Sequence, residues 1–167
     1  MILWLVGMMG SGKSTVGEMV AHSSGAPFLD TDRMVEQATG ESIPATWNRI
    51  GEEGFRRLES EAVARAAKSS RCVVATGGGA IIEPANRTAM QRSGTVVWLR
   101  SSLDHLLGNL GSGSGRPLIA DADDQRLALS TLLESRETLY MGVAEHVVDV
   151  DGRPLEDVAA EVGELWS

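Results

Sequence analysis

Gly7-Met8-Met9-Gly10-Ser11-Gly12-Lys13-Ser14 satisfies G-x-x-x-x-G-K-[ST] at every fixed position, between a short apolar run and a helical pattern, the context this string needs. Glycines at that spacing let successive N–H groups converge on phosphate oxygens at a helix N-terminus, where unsatisfied donors and the helix dipole both favour an anion. Lys13 then neutralises the β- and γ-phosphates, and Ser14 supplies a hydroxyl to Mg2+. Gly10, Ser11, Gly12 and Thr15 complete the cradle. Lys13 and Lys68 are the chain's only lysines, so the loop lysine is no by-product of a lysine-rich surface.

A phosphate loop leaves kinase, switch GTPase and ATP-driven motor open. No N-K-x-D string reads guanine, and the single D-x-x-G, Asp149 to Gly152, lies after the last apolar run and reads as an Asp-Gly turn. A motor of this kind needs a longer chain than 167 residues. Other polar residues point to a second substrate. Asp30-Thr31-Asp32 follows a short apolar run and precedes a helical pattern, so both carboxylates fall at the sheet edge that carries the phosphate loop. Either carboxylate could cap the helix, and as a pair one can hold a Mg2+-bound water while the other accepts the proton of an attacking hydroxyl. In Phe55-Arg56-Arg57-Leu58-Glu59 the two arginines diverge around the helix, so one can turn inward. Gly77, Gly78 and Gly79 directly follow a strand at its C-terminal end, where open α/β sheets bind their ligands, and a tight turn accounts for one such glycine better than for three.

The elements that position these residues alternate along the chain. Apolar runs of strand length occur at Ile2 to Val6, Pro27 to Leu29, Cys72 to Ala75, Thr95 to Leu99 and His146 to Val150. Helical patterns occupy Ser14 to His22, Arg33 to Ala38, Glu52 to Lys68, Pro84 to Arg92, Ser102 to Leu110, Asp124 to Tyr140 and Leu155 to Leu165. This order predicts a single three-layer α/β domain over 1–167 with a central five-stranded parallel sheet. Residues 31–68 form the acceptor-side helices. From Gly108 to Asp124 four glycines within eight residues and a following proline predict a mobile lid.

Composition narrows the class further. With 43% hydrophobic residues the chain can build one core, and a net charge of -8 argues against a nucleic-acid surface. No apolar run approaches the ~18 residues of a membrane span. Cys72 is the sole cysteine, which excludes an internal disulfide and a cysteine zinc cluster. The chain opens directly on a strand without a basic leader, and these features together predict a cytoplasmic protein without a membrane partner. We expect it to be a monomer.

Taken together, GMMGSGKST, DTD, GEEGFRRLE, TGGGA, GRPL and RETLY, in this order and spacing, resemble the shikimate kinase family from Leu3 to about Val158. The phosphate loop is shared by many nucleotide enzymes, whereas DTD, FRxxE and GGG in combination are specific to this one. The resemblance implies a nucleoside-monophosphate-kinase-like fold and transfer of the ATP γ-phosphate to the 3-hydroxyl of shikimate, with Mg2+ as cofactor. By position it implies that Asp30 orders metal-bound water and that Asp32 binds the acceptor hydroxyls and acts as base. Arg56 and Arg136 would clamp the acceptor carboxylate, with Glu59 orienting one of them, and Gly77, Gly78 and Gly79 would line the acceptor pocket. Arg116, ahead of Pro117 and Leu118, matches the lid arginine, and Pro154 one wall of the adenine slot.

The sequence departs from the family pattern at three places. Asn109 stands where an arginine commonly packs on adenine, Trp47 where a phenylalanine is common, and Thr138 where a proline is common. Arg153 could cover the adenine face that Asn109 leaves bare, or stand as a solvated loop arginine. Trp47 could border the acceptor pocket or simply pack in the core. Two other readings stay open: a related kinase with another small hydroxy acid such as gluconate, and a non-catalytic ATP-binding module.

Overall fold

The computed structural model describes residues 1–110, 117–120 and 124–166. Strand β1 (Ile2–Val6) is buried at every position because it lies at the centre of a sheet covered on both faces. Ile2, Trp4 and Val6 enter one core, and Leu3 and Leu5 the other. The second core is closed by helices α1 (Lys13–Ser24) and α8 (Leu155–Leu165), through Val16, Val20 and Ala21 and through Val158 and Val162. The first is closed by α3 (Ile43–Ala66), α4 (Pro84–Ser93), α5 (Leu103–Leu110) and α7 (Gln125–Val143).

The remaining strands are β2 (Phe28–Asp30), β3 (Val73–Ala75), β4 (Gly94–Arg100) and β5 (His146–Asp149). The order across the sheet is β2-β3-β1-β4-β5, and every pairing is parallel, as the alternation of elements predicts. Register decides what gathers at the site. Asp30 lies beside Ala75 and Ala75 beside Leu5, so the residues that follow these three strands emerge together at one sheet edge. Those residues are the phosphate loop, the Asp30-Thr31-Asp32 string and the glycine triplet.

The helices depart from expectation in three places. Helix α2 (Thr31–Thr39) starts two residues before Arg33, which puts Asp32 in its first turn and Asp30 at its N-cap. Helix α3 begins at Ile43 instead of Glu52, because the Ser42 side chain caps it and Pro44 sits in its first turn, an N-terminal signal that the sequence does carry. Its two halves meet at Gly51, whose φ of 71° breaks the helical ladder. Of the stretch from Gly108 to Asp124, the described residues are helical at 108–110 and 117–120, while Asp124 is the extended N-cap of α7. Gly108 to Leu110 finish α5, since a single exposed glycine costs a helix only about 1 kcal/mol, and Pro117–Ala120 form the short helix α6. Arg116 lies outside the described residues. Among the described residues no helix is long and apolar enough to cross a membrane.

Candidate active site

The phosphate loop turns into α1 at Gly12, whose left-handed φ of 87° lets Lys13 open the helix with its N–H groups facing the cavity. No acidic side chain occupies the first turn, so the positive helix end is left for a ligand. Lys13 is buried, and its Nζ donates to the carbonyls of Gly7 at 2.9 Å and Met8 at 2.8 Å. The lysine is therefore also part of the loop's own framework. Gly10, Ser11, Gly12, Lys13, Ser14 and Thr15 line a cavity of about 420 Å3 with Asp30 and Asp32.

Asp30 caps its helix, as its position suggests, and its two oxygens have separate partners. Its Oδ1 caps α2 by accepting from the N–H groups of Asp32 at 3.0 Å and Arg33 at 3.3 Å, while Oδ2 accepts from Ser14 Oγ at 2.7 Å. A hydroxyl and one carboxylate oxygen together suit Mg2+, which keeps most of its waters and takes further oxygens from phosphates. No cluster of three or more His, Cys, Asp or Glu side chains that could form an all-protein metal cage occurs among the described residues.

Asp32 stands between the phosphate loop and a second, smaller cavity of about 90 Å3. Burial, and then the like charges of Glu59 and Asp30, push its carboxyl up to about 7 against the pull of Lys13. The smaller cavity is lined by Asp32, Arg56, Glu59, Gly77, Gly78, Gly79 and Arg136, together with Trp47 and Phe55. Arg56 turns inward and Arg57 outward: their side chains are 17% and 67% exposed, and Arg57 pairs with Glu53 on the surface. Glu59, itself buried, accepts from Arg56 Nη1 at 2.7 Å. Burial raises the Glu59 carboxyl, and the charges of Arg56 and Arg136 oppose this.

Trp47 is both pocket wall and packing partner. It tilts against Phe55 with ring centroids 5.2 Å apart, and the Arg56 guanidinium lies 5.5 Å from its ring centre. The first half of α3, which the sequence analysis leaves unassigned, thus supplies one face of the arginine's slot. The glycine triplet supplies the opposite one. A Cβ on Gly79 would overlap the Arg56 guanidinium, and one on Gly77 would come within 2.6 Å of both Asp32 Oδ1 and Glu59 Oε1. We expect Gly79→Ala to displace Arg56 and raise the KM for the acceptor about tenfold or more, with the KM for ATP unchanged in steady-state kinetics. An unaltered acceptor KM would mean that Arg56 does not need its present place.

Thr31, between the two carboxylates, accepts from the Gly77 N–H at 2.9 Å and so ties the acidic string to the glycine loop. Met9, Thr76, His105 and Leu155 line the larger cavity without having been singled out as its walls, beside Asn109, and Ile43, Pro117 and Leu118 line the smaller. Asn109 braces the phosphate loop, its Nδ2 donating to the Gly10 carbonyl at 2.9 Å. Arg153 is engaged by groups of the chain itself. Its guanidinium pairs with Glu161 at 2.7 Å and donates to the Asp149 carbonyl at 3.0 Å, and neither Arg153 nor Pro154, the N-cap of α8, lines the larger cavity. An ion pair to the helix that follows holds the Arg153 side chain, and Leu155, the first residue of α8, lines the larger cavity.

The family profile described as "Shikimate kinase" matches residues 9–166. The chain belongs to the shikimate kinase family. A shikimate kinase from Symbiobacterium thermophilum is 42% identical over 161 residues, which cover 96% of this chain and 92% of that protein. The solved structure of a shikimate kinase from Acinetobacter baumannii in complex with shikimate superposes with a TM-score of 0.95 at 34% identity, covering 98% of this chain and 91% of that one. A gluconokinase from Sinorhizobium meliloti reaches a TM-score of 0.59 at 21% identity over 97% of this chain and 89% of its own, a likeness of fold alone. The chain is thus an ATP-dependent shikimate kinase on a five-stranded, all-parallel α/β scaffold.

Proposed function

We propose that this shikimate kinase places ATP in the larger cavity and shikimate in the smaller, and transfers the γ-phosphoryl group to the 3-hydroxyl where the two meet. The observation that carries this assignment is that Met9, Asp32 and Gly78 line both cavities, so a phosphoryl group can pass between them beside a carboxylate. Lys13 and the N–H groups at the start of α1 neutralise the phosphates. Asp32 accepts the proton of the 3-hydroxyl as its oxygen bonds to phosphorus and the bond to the ADP oxygen breaks. Ser14 and Asp30 hold Mg2+, which when bound spreads the charge developing on the phosphate oxygens.

Phosphoryl transfer asks the protein mainly for position and charge, so the acceptor needs its own anchor. Arg56 and Arg136 clamp the shikimate carboxylate, because planar guanidinium donors can bind both oxygens at once, and Glu59 holds Arg56 in place. The glycine triplet lets the ring approach the backbone. Arg116 adjoins Pro117 in the chain and is assigned by the sequence to the lid.

Arg56→Ala and Arg136→Ala should each raise the KM for shikimate by one to two orders of magnitude, a charge-assisted contact being worth roughly 1.5 to 3 kcal/mol. The KM for ATP should stay within twofold. Loss of nucleotide binding with unchanged shikimate affinity would overturn the acceptor assignment. The activity itself is tested by a coupled ADP-release assay with a panel of small hydroxy acids and divalent cations. We expect turnover with shikimate and Mg2+ far above the ATPase background and none with gluconate. The net charge of -8 supports small-molecule substrates over a nucleic-acid partner; we further propose a monomer acting in the cytoplasm without a membrane partner, its product serving aromatic amino acid biosynthesis.

A further inference from the structure

We propose that the Tyr140 hydroxyl is a positioning group for shikimate, fixing the peptide between Gly78 and Gly79 and thereby the shape of the acceptor cavity. The inference rests on the assignment of that cavity to shikimate. Tyr140 lies on α7 one turn beyond Arg136, is wholly buried, and lines neither cavity. Its hydroxyl donates to the Gly78 carbonyl at 2.6 Å, a bond that joins α7 to a loop 62 residues away in sequence. The ring is held by stacking on Trp98 of β4, with centroids 5.6 Å apart and planes 19° from parallel.

Three features make this bond more than a packing detail. The Gly78-Gly79 peptide has no side chains to set its plane; Ala80 and Ile82 N–H groups hold the flanking carbonyls of Gly77 and Gly79, and the Tyr140 hydroxyl holds the Gly78 carbonyl between them. Carbonyl and N–H point oppositely across a trans peptide, so holding the Gly78 oxygen toward Tyr140 turns the Gly79 N–H away from it. The ring is also anchored to the helix that carries Arg136. Arg136 is buried, its charge lies beside the phenol, and its Nη1 is 3.6 Å from where a Gly78 Cβ would be. One oxygen therefore couples the glycine loop to one arm of the carboxylate clamp. Burial pushes the phenol far above the usual tyrosine range, so it remains a donor across the working pH range.

Tyr140→Phe in the full chain removes the oxygen and keeps the ring. We expect the KM for shikimate to rise about three- to tenfold, the KM for ATP to stay within twofold, and the thermal midpoint to fall by only a few degrees. A loss of stability with an unchanged shikimate KM, or an equal rise of both KM values, overturns the proposal. Arg136→Ala, run in parallel, separates the two levels of inference: if it also leaves the shikimate KM alone, the acceptor assignment fails, whereas failure of Tyr140→Phe alone removes only the tyrosine's role.

A second measurement does not depend on how the variant folds. Tyr140 is the only tyrosine in the chain, so biosynthetic incorporation of 3-fluorotyrosine gives a single 19F resonance from this site. That resonance should shift when shikimate is added and stay in place with ADP alone. A signal indifferent to saturating shikimate overturns the proposal.

Discussion

Lys13→Ala lowers kcat by about three orders of magnitude or more while leaving a folded protein, as read by single-turnover kinetics and thermal unfolding. The expectation has two parts, because the structure gives the side chain two employments. In the ligand-free enzyme Nζ donates to the carbonyls of Gly7 and Met8, bracing the loop from within. With ATP bound no other lysine can take its place at the phosphates, since the chain's only other one, Lys68, lies beyond the end of α3. Removing it leaves two loop carbonyls short of a donor, a penalty on the order of 1 to 3 kcal/mol that should lower the thermal midpoint by several degrees. The catalytic loss should far exceed what that instability explains. Were kcat to stay within tenfold of wild type in a folded protein, Lys13 would be a structural brace and the phosphate charge would be met elsewhere.

The phosphate loop and the acidic string were legible in sequence because each is short, contiguous and fixed by its own backbone. Gly12 must be left-handed for α1 to start where it does, and Asp30 must leave an extended strand to cap α2. The inner strands β1, β3 and β4 were legible for a related reason: a strand covered on both faces reads as an unbroken apolar run, as in Ile2–Val6. What escaped depends on pairs distant in the chain. The first half of α3 offers only Ile43, Trp47 and Ile50 before the Gly51 break, too short a helical pattern to stand out, and what places Trp47 is its contact with Phe55 and the Arg56 guanidinium across that break. The bond from Tyr140 to Gly78 spans 62 residues and has no local signature. The ion pair of Arg153 is hidden from the sequence for the same reason. Its partner Glu161 lies two turns along the next helix, so the pairing emerges only once α8 is in place.

Asp32→Asn should lower kcat by about 10²- to 10⁴-fold and weaken shikimate binding more modestly, since an amide still bonds a hydroxyl but cannot take its proton. The surroundings make the carboxylate a usable base. Burial and the nearby charges of Glu59 and Asp30 raise it from 3.8 to about 7, which matches its proton affinity to neutral conditions. The same shift has a consequence for folding that can be measured without substrate or metal. Unfolded Asp32 releases its proton near pH 4, whereas the folded protein retains it until about pH 7, so across this window the unfolded state binds fewer protons and stability falls as pH rises. The contribution is fully present below pH 4 and lost above about pH 7. Asparagine carries no such dependence, so the thermal midpoint of Asp32→Asn relative to wild type should climb between pH 5 and pH 8 in the presence of a chelator. At the upper end the variant should be the more stable protein, despite being the poorer enzyme. A pH-independent difference in midpoint would mean that Asp32 is ionised in the free protein throughout, and near-normal kcat would reduce its role to positioning the acceptor.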